Sequence, residues 1–335
     1  MPATMKSIAH DLGVSVVTVS KVLHNHTDIS AETRKRVLRR MKEVNYQPNL
    51  AARALSTGRT SLIGLIVPDL VHPFFAQVAK GISARLSAHG YSLIISSSEE
   101  DPQLERREVD QMMARSVDAL ILASTETGQD SVRKLTEREV PFVLLDRKIP
   151  GFAANFVGND DVLVGTIATK HLIDIGCKRI AHIGGSEVST ALDRKEGYEA
   201  TLTEQGLLFP EYLVRHGRGD DDGDAAGYGG MKSLLKLTPR PDGVFCCNDP
   251  IAMGAIRAVL DAGLRIPEDI AIVGCGNVHY DDLLRVPLSS VDQDTAGLGE
   301  SAAKLVLRII KLKRNSPVKN ILFPASLVVR ASTRR

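Results

Sequence analysis

The segment Ile8 to Leu23, IAHDLGVSVVTVSKVL, decides how the amino end of this chain folds. A strand would alternate strictly and give Gly13 no special place, whereas the apolar residues here are Ile8, Leu12, Val14, Val19, Val22 and Leu23. Their spacing changes register at Gly13, which predicts two helices meeting at a corner. Thr4 suits the N-cap of a helix from Met5 to Asp11, Gly13 supplies the permissive backbone of the turn, and Ser15 suits the N-cap of a second helix reaching about Leu23. Small Ala9 allows close approach, and Ile8, Val14, Val19 and Val22 form the shared core. That leaves Val16, Val17, Thr18, Ser20 and Lys21 facing outward. Two adjacent valines on an exposed helix start are unfavourable in water. They suit a surface that enters a DNA major groove, where apolar groups meet thymine methyls and Lys21 reaches guanine O6 and N7.

Working outward, Ser30 caps a third helix whose stripe Val37, Met41 and Val44, with Leu38 alongside, closes a small three-helix core. Arg34, Lys35, Arg36, Arg39, Arg40 and Lys42 cover its other faces with charge, whose main expected role is long-range attraction. Pro48 is expected to break that helix, and Asn49 to cap a short one over Leu50 to Leu55, ended by Ser56-Thr57-Gly58. So short a helix has little stability alone and folds only when something holds it. The first sixty residues hold ten Lys/Arg against four Asp/Glu, a net +6, while the whole chain is at +2, which puts the remainder at −4. The basic end is where a polyanion would bind.

These segments, TMKSIAHDLGVSVVTVSKVL, ISAETRKRVLRRMKEVNYQPN and AARALSTGRT, resemble the DNA-binding headpiece of the lactose repressor family of bacterial transcription regulators, and the resemblance runs through the whole chain. It implies that Val16, Val17 and Lys21 read bases, and that Ser15, Thr18, Ser20, Asn25, Tyr46 and Asn49 anchor to phosphates or position the helices. It also implies that the short helix docks in the minor groove at the operator centre, where Ala52 sits beside Leu55 and Leu55 wedges between base pairs, unstacking offset by extra wrapped surface. The family usually has Arg where this chain has Lys21, and Lys lacks the bidentate fork that fixes base choice.

From Leu62 onward apolar runs alternate with helical patterns: LIGLIVPD, SLIISSS, DALILAS and PFVLLD, then RIAHIGG, DGVFCCND and IAIVGCG. Such runs predict strands buried on both faces with helical parallel crossovers, hence two doubly wound lobes. Ligands in such sheets bind beyond the carboxyl ends of strands, which nominates Asp69, Ser97, Ser124, Asp146, Gly185, Asn248, Asp249 and Asn277. Residues 61 to 330 resemble the periplasmic sugar-binding type, with crossovers near Asp160, Gln293 and Phe323. The expected organisation is a headpiece of residues 1–47, a hinge helix and linker of 48–60, and a body of 61–335. Its amino-proximal lobe takes about 61–160 plus 293–322, and its carboxy-proximal lobe about 161–292 plus 323–335. The resemblance implies that Asp146, Arg194 and Asn248 hydrogen-bond an effector, Phe74 packs on it and Gln293 sits by a crossover; RKEGY keeps the spacing of Arg194 to Gly197 and Tyr198. Each has a structural alternative: Asp146 or Asp249 capping the next helix, Phe74 as a core aromatic. Many relatives carry Asp at the position of Gly276 and a large aromatic near Asp221, here part of GDDDGDAAG. Losing a cleft carboxylate favours an anionic effector, a sugar acid or phosphate sugar facing Arg194, while the acidic run argues for a neutral sugar.

Other classes find little support. There is no G-x-S-x-G elbow and no P-loop, and GCGNVH has His279 where the third glycine of a dinucleotide fingerprint belongs, so no enzyme and no cofactor are expected. Cys177, Cys246, Cys247 and Cys275 lack metal spacing, as do the nine histidines, and the Asp run lacks the Glu of a calcium loop, so no metal is expected. Aromatics at 4% without Trp fit an aliphatic α/β core. No apolar leader follows Met1 and no run is long enough to span a bilayer, so a cytoplasmic protein is expected, not a secreted binding protein. The chain ends soon after SLVVRAS without a leucine-heptad tail, so the expectation is a homodimer on a palindromic operator, a repressor released by its effector, with corepression as the alternative.

Overall fold

Gly13 makes the corner that the amino end requires. A computed structural model describes residues 3–23, 26–47, 54, 58–125, 129–207, 214–215 (backbone only), 223–312 and 317–335. The chain divides into two units, Met1–Thr60 and Ser61–Arg335. In the first, α1 (Met5–Leu12) starts with a reciprocal cap: Thr4 Oγ1 accepts from the Ser7 amide at 3.1 Å, and Ser7 Oγ from the Thr4 amide at 2.9 Å. Gly13, at φ +66°, ends it. Ser15 Oγ accepts from the Thr18 amide at 3.0 Å and starts α2 (Val16–Leu23), and Ser30 caps α3 (Ala31–Glu43). Ile8, Ala9, Val19, Val22, Val37 and Met41 form the buried core. Two expectations change. Leu38 is 48% exposed and takes no part in that core. The third helix ends ahead of Pro48, because Asn45 turns left-handed at φ 46° and the Tyr46 amide returns to the Met41 carbonyl at 2.9 Å.

The second unit holds two six-stranded sheets among the described residues. The first contains β1 (Leu62–Val67), β2 (Ser92–Ser97), β3 (Ala119–Leu122), β4 (Phe142–Leu145), β5 (Phe156–Asn159) and β11 (Asn320–Phe323), in the order β11-β5-β4-β3-β1-β2, all parallel. The second contains β6 (Ile180–Ile183), β7 (Val214–Arg215), β8 (Gly243–Cys246), β9 (Ala271–Cys275), β10 (Ser289–Asp292) and β12 (Ser326–Val328), in the order β12-β10-β9-β8-β6-β7. Strand β12 runs antiparallel to β10, so the second sheet is not purely parallel. Strand β2 is an edge strand with half-exposed residues, unlike the doubly buried strand expected of SLIISSS. The crossover helices are α4 (Pro73–Ser87), α5 (Pro102–Ala114), α6 (Gln129–Glu137), α7 (Asp161–Asp174), α8 (Ser189–Glu204), α9 (Asp224–Leu234), α10 (Asp249–Asp261) and α11 (Thr295–Leu312).

The chain passes between the sheets three times, after β5, after β10 and after β11. One buried side chain stitches these passages together. Asn159 Nδ2 donates to the Gln293 carbonyl at 3.1 Å and to the Phe323 carbonyl at 3.4 Å, and its Oδ1 accepts from Gln293 Nε2 at 3.1 Å. Helices α7 and α8 meet backbone to backbone: a Cβ at Gly165 would lie 2.1 Å from the Arg194 carbonyl oxygen, and one at Gly197 2.0 Å from that of Val162. Glycine at both positions permits the approach.

Candidate DNA interface and effector cleft

In the headpiece, the start of α2 presents what the sequence predicts. Val17 is 63% exposed and Val16 38%, while Val19 and Val22 behind them are buried. Ser15 and Thr18 hold each other's hydroxyls at 2.9 Å beside this surface. Ser20 is half-buried on the same helix. The Lys21 ammonium pairs with Asp28, and both are well exposed, so the pair is weak enough to open. Tyr46 packs against the headpiece core. The basic helix has a role the charge pattern concealed. Arg36 Nη2 donates to the Leu12 carbonyl at 3.1 Å and Arg34 to the Val22 and His26 carbonyls, so arginines of α3 satisfy orphan acceptors at the ends of α1 and α2. Arg40 Nη2 pairs with Asp11 at 2.7 Å. Asn25, Asn49, Ala52 and Leu55, the short helix expected over Leu50 to Leu55 apart from Ala54, and Asp220 to Asp222 lie outside the described residues.

In the body, the carboxyl ends of both sheets converge on a buried polar cluster. Arg194 of α8 is 5% exposed; its Nε donates to Asp161 Oδ1 at 2.8 Å, its Nη2 lies 2.8 Å from the same oxygen as an ion pair, and its Nη1 donates to the Cys247 carbonyl at 2.7 Å. Two of its five N–H groups are thereby committed to hydrogen bonds. Asp146, at φ 64° after β4, is buried, and burial pushes its carboxyl above the ordinary value against the pull of Arg194 and Arg147. Burial likewise pushes the Asp161 carboxyl upward against the pull of Arg194. His72 caps α4, its Nδ1 accepting from the Phe74 amide at 3.3 Å, which places its proton on Nε2; burial lowers its pKa to about 4, so the ring is neutral at pH 7.

Several expected ligands are instead engaged within the protein. Ser124 Oγ donates to both Glu105 oxygens at 3.0 and 2.9 Å. Asn248 caps α10, accepting from the Ile251 amide at 2.9 Å, the capping role expected of Asp249. Asp249 is fully buried and accepts from Ser290 Oγ at 2.6 Å and the Val278 amide at 3.1 Å. Asn277 donates to Asp292 at 3.1 Å and accepts from Arg330 at 2.7 Å. Gln293 is spent on Asn159, and Asp69 accepts from the Val71 amide at 2.6 Å. Phe74 is buried edge-on against Phe75 at 5.1 Å, in the core that the first sheet shares with α4 and α11. The gap expected at Gly276 is not open: its φ is +135°, and a Cβ there would lie 2.8 Å from Asp249 Oδ2.

Residues that the sequence did not single out complete the cluster. Arg147, 8% exposed, donates to both oxygens of Glu100 at 2.8 and 2.7 Å and to the Ser124 carbonyl at 3.1 Å. Across the cleft rim, the Lys148 amide donates to Ser189 Oγ at 2.9 Å, and the Lys148 ammonium lies 3.6 Å from Asp193. The one local signal was a cation directly after a strand-end aspartate.

A helix-turn-helix unit with an exposed apolar reading edge, followed by two sheets whose strand ends enclose charged side chains, defines a DNA-binding regulator with a ligand-sensing body. Residues 4–49 match the bacterial regulatory proteins of the lacI family, and residues 60–331 match the periplasmic binding proteins and sugar binding domain of the LacI family. The HTH-type transcriptional repressor PurR of Histophilus somni (strain 129Pt) is 32% identical over 335 residues, 99% of each chain. The ribose operon repressor of Haemophilus influenzae is 34% identical over 331 residues, 98% of each. The lac repressor dimer bound to operator and the anti-inducer ONPF superposes with a TM-score of 0.88 at 27% identity, covering 99% of each chain. The chain belongs to the lacI family. It is a sequence-specific DNA-binding transcriptional regulator of the repressor type, with a ligand-binding body.

Proposed function

We propose that two copies of this chain pair through their bodies and place two headpieces on a palindromic operator, and that a small carbohydrate-like effector between the lobes releases them. The observation that carries the DNA side is the Ser15-capped start of α2, with Val16 and Val17 exposed in front of a closed core. In this reading Val16, Val17 and Lys21 read bases, Ser15, Thr18, Ser20, Asn25, Tyr46 and Asn49 fix register on phosphates, and Ala52 and Leu55 occupy the minor groove. Lobes of about 61–160 plus 293–322 and 161–292 plus 323–335 close on the effector, with Asp146 and Arg194 as its main partners. Pairing is supported by the edge strand β2 with its exposed Ile95, by the exposed Leu70 and Val71, and by a groove of about 350 Å³ that Leu70 and Ile95 line. Among the described residues no helix is long and apolar enough to cross a membrane, which fits a regulator working in the cytoplasm.

The test is fluorescence anisotropy on a palindromic duplex selected from a random pool, at fixed salt, with and without sugars. Leu55→Ala should weaken operator binding at least tenfold and leave sugar binding intact, and unchanged operator affinity would refute the wedge. Arg194→Ala should abolish the response to sugar while the protein still binds DNA. A sugar that tightens the complex would identify a corepressor.

A further inference from the structure

Four carboxylates stand in the first sixty residues, Asp11, Asp28, Glu32 and Glu43, and three of them have a place in the fold. Asp11 and Glu43 both meet Arg40, which ties α1 to α3. Glu32 lies in the first turn of α3, where the helix dipole favours an acid. Asp28 differs: its partner is Lys21, the one basic side chain of α2 and the residue read as reaching guanine. The pair spans seven residues at the edge of the reading surface, with side chains 39% exposed for Lys21 and 54% for Asp28. Asp28 is also held from both sides. Arg34 fixes the backbone before it by donating to the Val22 carbonyl at 3.4 Å and to the His26 carbonyl, and Ile29 after it packs on the headpiece core. The hydrogen bond from Lys21 keeps its carboxyl below the ordinary value, so it is ionised at neutral pH.

From this we propose that Asp28 is a positioning residue that makes Lys21 selective for guanine, by holding one N–H of the ammonium so that the other two meet O6 and N7. The proposal rests on the reading of Lys21 as a base contact. An ammonium on a flexible stem is a compact point charge that takes any acceptor within reach, phosphate included, whereas a guanidinium carries its own fork. A carboxylate fixed beside Lys21 supplies the direction that the side chain lacks. The pair is exposed and therefore weak, so Asp28 does not keep Lys21 from DNA. Asp28 also carries negative charge to the edge of the groove, where it opposes the phosphates, so a backbone oxygen is a poorer partner for the held ammonium than a base edge. Asp28→Asn keeps the shape of the side chain and removes the charge that does both.

The experiment is fluorescence anisotropy of the full-length protein on the selected palindromic duplex, on duplexes with each half-site position changed in turn, and on random duplex, over a series of salt concentrations. Lys21→Ala first identifies the base pair whose preference it removes. At that pair the wild type should favour guanine about tenfold, and Asp28→Asn should cut the preference to about twofold while the other positions keep theirs. Asp28→Asn should also bind random duplex about threefold more tightly, with a log–log salt slope steeper by about one, because the released ammonium takes a phosphate. Lys21→Arg added to Asp28→Asn should restore the guanine preference, since the fork needs no holder. A preference is a ratio of two affinities of one protein, so a change in the folded fraction does not move it. A guanine preference that survives Asp28→Asn overturns the proposal, as does a loss spread evenly over all positions, a loss that Lys21→Arg does not repair, or an unchanged salt slope. If Lys21→Ala alters the preference at no position, the base-reading role of Lys21 itself fails, and the role of Asp28 falls with it.

Discussion

Replacing Gly197 by alanine tests whether the ion pair in the cleft depends on two helices touching backbone to backbone. The added Cβ would lie 2.0 Å from the Val162 carbonyl oxygen and 2.9 Å from the Thr166 amide nitrogen, where ordinary contact begins at 3.4 Å. Neither neighbour is a side chain that can rotate away, so α8 must retreat from α7 by about 1.4 Å. Overpacking of this kind costs about 1–3 kcal/mol, and a rigid backbone neighbour places it near the upper end. Alanine recovers about 1 kcal/mol of helix propensity over glycine, leaving a net loss of about 2 kcal/mol. For a unit of this size that corresponds to a melting temperature about 4–8 °C lower. The same retreat would stretch the 2.8 Å hydrogen bond and the 2.8 Å ion-pair contact between Arg194 and Asp161 out of range, so binding of the proposed effector should fall more than stability does. Gly229 in α9 is the control: nothing lies within 4 Å of its Cβ position, and Gly229→Ala should be neutral or stabilising. Thermal melts and urea titrations of both variants decide the matter. A Gly197→Ala protein that melts with the wild type, or that moves together with Gly229→Ala, would refute the argument.

Val17→Ser should leave the melting temperature unchanged, because the side chain is mostly exposed, and should reduce selected-operator affinity about tenfold more than affinity for random duplex at the same salt, read by anisotropy. Asp281 is fully buried with Arg330 Nη1 3.9 Å from Oδ2; burial first, then the charge of Asp249, pushes its pKa to about 9. The folded state therefore holds this proton where the unfolded chain has released it, so stability falls as pH rises from about 4 toward 9, and Asp281→Asn should flatten that slope in urea midpoints measured at pH 5, 7 and 9. A slope identical to wild type would show that Asp281 ionises normally.

The headpiece was legible because its signals are local. Thr4, Gly13, Ser15 and Ser30 each act within four residues of themselves, and the structure uses all four as read. The long apolar strands were legible for the same reason. FVGN and SSVD were not: as β5 and β10 they are four residues each, and a glycine or two serines break the apolar run that would announce them. The cleft was half legible. Strand ends mark where polar residues gather, but whether one faces a ligand or another side chain depends on partners far away in sequence. Arg147 meets Glu100 across 47 residues, Arg194 meets Asp161 across 33, and Gln293 meets Asn159 across 134. No local pattern distinguishes Asn248, which caps a helix, from Asp146, which does not.

The placement of these contacts also bears on how a ligand could move the body between two arrangements. The three chain crossings are held by Asn159 and Gln293, which are wholly buried, neutral and mutually satisfied, so separating them would leave unpaired polar groups in the interior. The rim is different. Lys148 reaches the second lobe through one backbone hydrogen bond to Ser189 and a 3.6 Å ion pair with Asp193, whose side chains are 44% and 30% exposed. A partly exposed ion pair contributes about 0–1 kcal/mol and the hydrogen bond about 0.5–1.5, so opening the rim costs about 1–2 kcal/mol once solvent screening is allowed for. That is the scale of coupling by which effectors change affinity at a distant site, about 1–3 kcal/mol. In the proposed reading, a ligand that adds or removes only a few hydrogen bonds at Asp146 and Arg194 would be sufficient to decide whether this rim is closed, with the crossings as a pivot that neither state breaks.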